Sequence, residues 1–424
     1  MAASDRISGL IMLAFAFAGL LLANLPFTYH LFEAVAETHV AIPWLGLDMP
    51  IGHWAQDGLL TIFFLVVGLD LKQELTTGSL ANPRAAAVPM LAAVGGMLVP
   101  PLIFLLVMGL FSQFGPPYPG AVLDAEGGIH TFAQMAHGWA IPTATDIAFS
   151  LAVLALFAKG LPGTIRAFLM TLATVDDLLG IIVIAVFFSS LNAWYWFAGL
   201  AVCAALWAVL VRRKRVPWLL VIVVGLAAWF MMYQAGVHPT LAGVLVGLLT
   251  PSREMHGEHT PRAERYAEKL QPFSALLALP VFAFFATGIH FDRISPGMLL
   301  SPVFLGLMLA LVVGKPLGVM AVSALVTKVV GLRLARGLRL RDLLPMSCAT
   351  GIGFTVSFLI ASLAYKQPVL SGEARLAVLI GSLVAAGLSG ALLSRQAKRL
   401  RERKAAEDVA AAGVAAAGVK VGTD

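Results

Sequence analysis

Charge is what this chain has least of. Lys, Arg, Asp and Glu make up 12% of its 424 residues, against about a quarter in soluble domains. Hydrophobic residues make up 59%, and mean hydropathy is +0.88. That balance excludes a soluble globular domain. Cysteine is scarce too. Cys203 and Cys348 are the only two, both inside apolar stretches, which excludes a disulfide framework and gives no metal-ligand spacing. No motif points to a cofactor or to nucleic acid. What remains is a polytopic protein whose first partner is the lipid bilayer.

Apolar runs of about 20 residues signal transmembrane helices. They predict helices near 7–25, 55–76, 86–112, 138–158, 164–188, 194–211, 217–233, 237–250, 273–290, 302–327, 343–365 and 373–394, the eighth short for a full span. The first run follows Arg6 as in a signal peptide. It lacks a clear small-x-small cleavage site and leads into further spans, so it is read as an uncleaved helix. With the N-terminus inside, 25 of the 29 lysines and arginines fall in cytoplasmic segments. That bias predicts both termini in the cytoplasm. A single transporter domain is expected over 1–396. Residues 397–424, basic and then rich in Ala, Val and Gly, are expected to be a disordered cytoplasmic tail. Segment 38–52 alternates polar and apolar residues around a Gly-Leu-Asp turn. It fits an external β-hairpin, hence a dimer contact, and equally an irregular loop. Segment 112–137 has no base and many Gly and Pro, the composition of an extended external loop.

Asp176 and Asp177 interrupt the apolar run 164–188. A carboxylate at the bilayer centre costs roughly 2.5–3.5 kcal/mol on insertion scales, and two side by side also repel. The pair is read as a proton or cation site, the alternative being that both acids are merely paired with buried bases. Only one base, Lys315, lies at comparable depth. Consecutive helical residues project about 100° apart, so the two acids cannot face one partner. One can face a water-filled cavity and the other a neighbouring helix. Lys315, midway along the tenth helix, either pairs at that depth or snorkels to the interface.

Two helices carry breaks. The fourth has Pro142, Thr143, Thr145 and Asp146; the eleventh has Thr350, Gly351, Gly353, Thr355 and Ser357. Proline removes a donor and clashes with the preceding turn, and glycines favour an unwound stretch. Each is the middle helix of a triplet, about 86–188 and 302–394. Exposed helix ends carry partial charges that need counter-charges, and Asp146 and Lys315 are at hand. With all four groups ionised the site has three negative charges and one positive. A cation, protons, or a swap of one for the other would fill the deficit. Carboxylates and the Thr145 hydroxyl are hard oxygen ligands, suited to alkali cations.

The motifs 68–75 (GLDLKQEL), 138–149 (GWAIPTATDIAF), 174–178 (TVDDL), 236–243 (GVHPTLAG), 314–318 (GKPLG) and 351–355 (GIGFT), in this order, resemble the NhaA-type sodium/proton antiporters of bacterial inner membranes. The resemblance runs from about Ile7 to Arg395. It implies an all-α polytopic membrane protein of 12 transmembrane helices, with an inverted-topology repeat and crossed, discontinuous helices 4 and 11. Transporters place their sites where such repeats break, this family among them. It also implies a homodimer joined through the external hairpin. Na+ would be held by Asp177, Asp176 and Thr145, with Asp177 the main cation carboxylate. Asp176 would pair with Lys315, and Asp146 would offset helix ends. The implied activity is secondary transport, not enzymatic: electrogenic exchange of Na+ or Li+ for H+, switched on at alkaline pH, in sodium and pH homeostasis. The pH response maps to Asp70, Lys72 and Glu74, with the loop carrying Glu254, Glu264 and Glu268. Gln73 stands where the family has a basic residue and Asp70 where it has glutamate, and the loop after the eighth helix aligns poorly. These departures leave the pH set-point open. His238 matches a family histidine and Asp57 stands near the outer end of the second helix; neither is given a role.

Two other classes use similar parts. An intramembrane aspartyl protease needs its aspartates on facing helices, usually in Gly-x-Gly-Asp, a motif this chain lacks. A sodium-coupled solute symporter would add an organic-substrate pocket, which no motif marks.

Overall fold

A computed structural model describes residues 2–114, 121–124, 126–158, 161–289, 296–334 and 338–418. Its apolar helices, in chain order, are α1 (Ala2–Leu22), α2 (Ile51–Thr76), α3 (Pro83–Phe114), α4a (Phe132–Thr143) with α4b (Ile147–Phe157), α5 (Gly163–Phe187), α6 (Tyr195–Leu210), α7 (Trp218–Gln234), α8 (Leu241–Leu249), α9 (Arg262–Ala286), α10 (Pro302–Lys328), α11a (Leu340–Thr350) with α11b (Phe354–Ala364), and α12 (Pro368–Gly418). Among the described residues α2, α3, α5, α9, α10 and α12 are long and apolar enough to cross a membrane. The halves of α4 and of α11 meet at 47° and 50°, and each pair passes as one broken span. The chain is an all-α membrane protein, with strands confined to two short hairpins among the described residues.

The first hairpin decides between the two expectations for 38–52. β1 (His39–Ile42) pairs antiparallel with β2 (Leu47–Pro50), Val40 opposite Met49. Gly46 turns the chain at φ +64°, and Leu47 and Met49 are buried while β1 is largely exposed. The second hairpin, β3 (Ala121–Leu123) with β4 (Ile129–Thr131), lies in the segment expected to be only an extended loop. Three residues per strand are too few for a period-2 signal. Its turn is closed by Asp124, which accepts from the backbone N–H groups of Glu126 and Gly128.

Two helix ends differ from expectation. α9 begins at Arg262, well ahead of the apolar run at 273. Its first turns are polar on one side. The other side, Ala263, Tyr266 and Ala267, packs on Leu69 of α2, a one-sided pattern that hydropathy averages away. At the other end, α12 continues to Gly418 through most of the segment expected to be disordered. Ala, Glu, Lys and Arg dominate there and are strong helix formers. Residues 419–424 lie outside the described residues.

Arg262 is one of the most buried large side chains, about 1% exposed. Its guanidinium donates to the carbonyls of Val211 and Arg213, at 2.6 and 2.7 Å, and in a fork to the Glu258 carboxylate. The α6–α7 turn is thereby tied to the start of α9. The hydrogen bond from Arg262 holds the Glu258 carboxyl below its usual range, so this clamp stays ionised through neutral and alkaline pH. Arg262→Ala should lower thermal stability in detergent by on the order of 2–3 kcal/mol, the scale of hydrogen bonds to charged groups. An unchanged melting temperature would show that the clamp holds nothing.

Candidate cation site

The site is built where the two broken helices meet. Thr131 and Gln134 form a capping box that starts α4a. Pro142 then ends it, because it cannot donate and its ring crowds the turn before. Ala144, Thr145 and Asp146 are left between the halves. Asp146 restarts the chain as the N-cap of α4b: its Oδ1 accepts the Phe149 N–H at 2.9 Å, the usual role of Asp ahead of an apolar run. In α11, Gly351, Ile352 and Gly353 form the gap. A Cβ on Gly351 would run into the Leu311 carbonyl, and one on Gly353 into Ser357, with the Ala144 carbonyl close by. The glycines let the two gaps touch.

They bind each other directly. The Asp146 N–H donates to the Ile352 carbonyl at 2.6 Å. The Thr145 hydroxyl lies 3.0 Å from the Thr350 carbonyl, Ser150 Oγ donates to Ala349 at 2.9 Å, and Ser357 Oγ donates back to Ile141 at 2.7 Å. Asp146 Oδ2 accepts from both the N–H and the hydroxyl of Thr355, at 3.2 and 2.8 Å. One carboxylate therefore serves the starts of α4b and α11b, where partial positive charge gathers.

Lys315 opens a new stretch of α10 after a π turn at Ala310–Gly314. Pro316 explains the local distortion, since it offers no N–H and its ring clashes with the i−4 carbonyl. The ammonium does not snorkel. Lys315 is about 1% exposed; Nζ is 2.6 Å from Asp176 Oδ2 and also donates to Thr145 Oγ1. The Thr145 hydroxyl has one proton and two acceptors in reach, Asp176 Oδ2 and the Thr350 carbonyl. Asp176 Oδ1 is buried and unpartnered.

Asp177, half-buried, turns instead toward a cavity of about 10 Å³, room for about one water. Asp176, Ala144, Gly180 and the apolar side chains of Phe63, Phe64, Ile184 and Val356 also line it. The structure thus brings Asp176, Thr145 and Lys315 into one network, sets Asp146 beside it on the helix ends, and leaves Asp177 at the cavity.

The residues mapped to a pH response are less closely joined. Asp70 is exposed, one turn before Glu74 on α2. Glu74 accepts from the N–H and hydroxyl of Ser79, and Ser79 reaches Thr171 of α5 at 2.9 Å. Glu264 and Glu268 stand on the first turns of α9 and form no ion pair with Asp70, Lys72 or Glu74 among the described residues. Sequence reasoning missed the Ser79–Thr171 link and the double grip of Thr355 on Asp146. It named His238 and Asp57 without joining them, whereas His238 Nε2 is 3.4 Å from Asp57 Oδ1 while Nδ1 meets Thr240. Each of these links joins residues far apart in the chain, which no local pattern encodes.

A family model described as Na+/H+ antiporter 1 matches residues 1–115 and 128–393. The chain belongs to that family. The unmatched stretch, 116–127, includes β3. A Na+/H+ antiporter NhaA of Bifidobacterium breve is 71% identical over 405 residues, covering 95% of this chain and 88% of the relative. One of Kineococcus radiotolerans is 41% identical over 413 residues, covering 96% and 91%. Among solved structures, a sodium proton antiporter from Methanocaldococcus jannaschii matches with a TM-score of 0.54 at 15% identity, over 92% of each chain. That match supports the fold of the family.

Proposed function

We propose that this member of the Na+/H+ antiporter family exports sodium or lithium in exchange for protons, by letting cation and protons compete for Asp177 and the Asp176–Thr145–Lys315 network. The observation that carries it is the division of labour among three carboxylates within the helix bundle. Asp176 is held by Lys315, Asp146 is taken up by the two helix starts, and Asp177, without such a partner, lines the cavity beside Asp176. An acid so placed binds a cation or a proton and not both.

The finer expectations belong to the same proposal. All twelve labelled helices cross the bacterial inner membrane, both termini are cytoplasmic, and residues 1–396 act as one transporter unit with inverted repeats at 86–188 and 302–394. The broken helices α4 and α11 cross within it. Exchange is electrogenic because the Asp176–Lys315 pair carries proton traffic beyond that of Asp177, so more protons enter than sodium ions leave. Alkaline activation is assigned to Asp70, Lys72, Glu74, Glu264 and Glu268. Two copies join through the β1–β2 hairpin.

Everted vesicles loaded with an acridine dye test this. Once respiration has acidified the interior, sodium or lithium should restore fluorescence with no organic solute present. Potassium should not, and the response should grow from neutral to alkaline pH. Dependence of the sodium response on an added organic solute would favour a symporter instead.

A further inference from the structure

Gly180 is buried in the middle of the 25-residue helix α5, where glycine is the least favourable residue but proline. Other buried helix glycines, such as Gly68, Gly247 and Gly318, have a packing reason. A Cβ on Gly68, Gly247 or Gly318 would strike the backbone of a neighbouring helix. Gly180 has none: nothing lies within 4 Å of where its Cβ would be. A buried position with empty space beside it faces a cavity, and this cavity is the one at Asp177. Gly180 follows Asp176 by four residues and Asp177 by three, so it shares their face of the helix.

We infer that Gly180 determines ion specificity, by keeping open the space in which a cation is seated at Asp177. This rests on the reading of Asp177 as the cation carboxylate. Apart from the two aspartates, the side chains lining the cavity are apolar: Phe63, Phe64, Ile181, Ile184 and Val356 among them. They offer no oxygen. The aspartates hold a sodium ion from one side only, and the room for it amounts to about one water-sized sphere. A methyl group at 180 takes that room. The smaller lithium ion, which accepts fewer ligands, loses less by it than sodium does.

The test uses Gly180→Ala and Gly180→Ser in the full-length chain, with apparent KM for sodium and lithium measured in everted vesicles. The alanine variant should raise the sodium KM about tenfold and the lithium KM threefold or less. The serine variant has nearly the same bulk but brings an oxygen to that place, so its sodium KM should recover at least half of the change. Melting in detergent should be at or above wild type for alanine, since the helix gains a better residue and the methyl enters open space. Unchanged KM values in the alanine variant would overturn the inference. So would equal rises for both ions in both variants, or a lowered melting temperature. Asp177→Asn is run alongside. If it still binds sodium, the site assignment itself fails; if it loses sodium while Gly180→Ala is silent, only the role of Gly180 fails.

Discussion

Asp177→Asn should abolish sodium- and lithium-driven proton movement in everted vesicles. The amide keeps the size of the side chain and one oxygen. It loses the negative charge that attracts the cation and the group that accepts the proton. No neighbour offers a second unpaired charge: the charge of Asp176 is balanced by Lys315, 2.6 Å from its Oδ2, and Asp146 is held by the N–H groups of Phe149 and Thr355. A charge contact of about 3 kcal/mol lost at such a site weakens binding more than about a hundredfold. Sodium binding by calorimetry at alkaline pH should therefore vanish with transport. Asp176→Asn should also cripple exchange, but through Lys315 and Thr145, with sodium binding reduced and not lost. Near wild-type binding and exchange by Asp177→Asn would put the cation elsewhere.

The helices and the site were legible in the sequence to different depths. Long apolar runs such as α3, α5 and α10 cannot be soluble, so composition alone places them. The aspartate pair, the mid-helix lysine and the two breaks stood out because charge and helix-breaking residues are rare in such runs. Which aspartate meets the lysine was not legible from periodicity: the 100° step says only that they diverge. Choosing Asp176 needed family resemblance, and the geometry agrees with it. Polar amphipathic segments were harder. The start of α9 is hydrophobic on one face only, and its anchor, Arg262, binds carbonyls some fifty residues away. No local pattern encodes such a partner. The second hairpin was missed for another reason: its order comes from Asp124 gripping the turn, and from the 2.7 Å contact of Asp124 with His130, not from strand-like residues.

A base at position 73 would, together with Lys72, balance the charges of Asp70 and Glu74; with Gln73 there, Lys72 is the one base in the run 70–74 of α2. Glu74 is drawn off toward Ser79 and, through it, toward α5. Through Ser79 and Thr171, Glu74 is thus linked to α5, the helix that bears the aspartates.

Lys315→Ala should lower both transport and stability. The ammonium is about 1% exposed and holds Asp176 and Thr145 together. Without it a buried carboxylate is left with the Thr145 hydroxyl alone. Breaking a buried pair by removing one partner costs roughly 3–5 kcal/mol, which should appear as a clear drop in melting temperature in detergent. Lys315→Arg keeps the charge but must fit a larger planar group beside the π turn, so its loss should be smaller. The decisive measurement is the double variant, Asp176→Asn with Lys315→Ala. Once the aspartate is neutral the absent ammonium is no longer missed, and the double variant should melt above Lys315→Ala. Coupling of this kind distinguishes a direct pair from two independent defects. Additive losses would mean that Lys315 stabilises the helix ends around the meeting point and not Asp176, and the proton traffic proposed for the pair would fall with it.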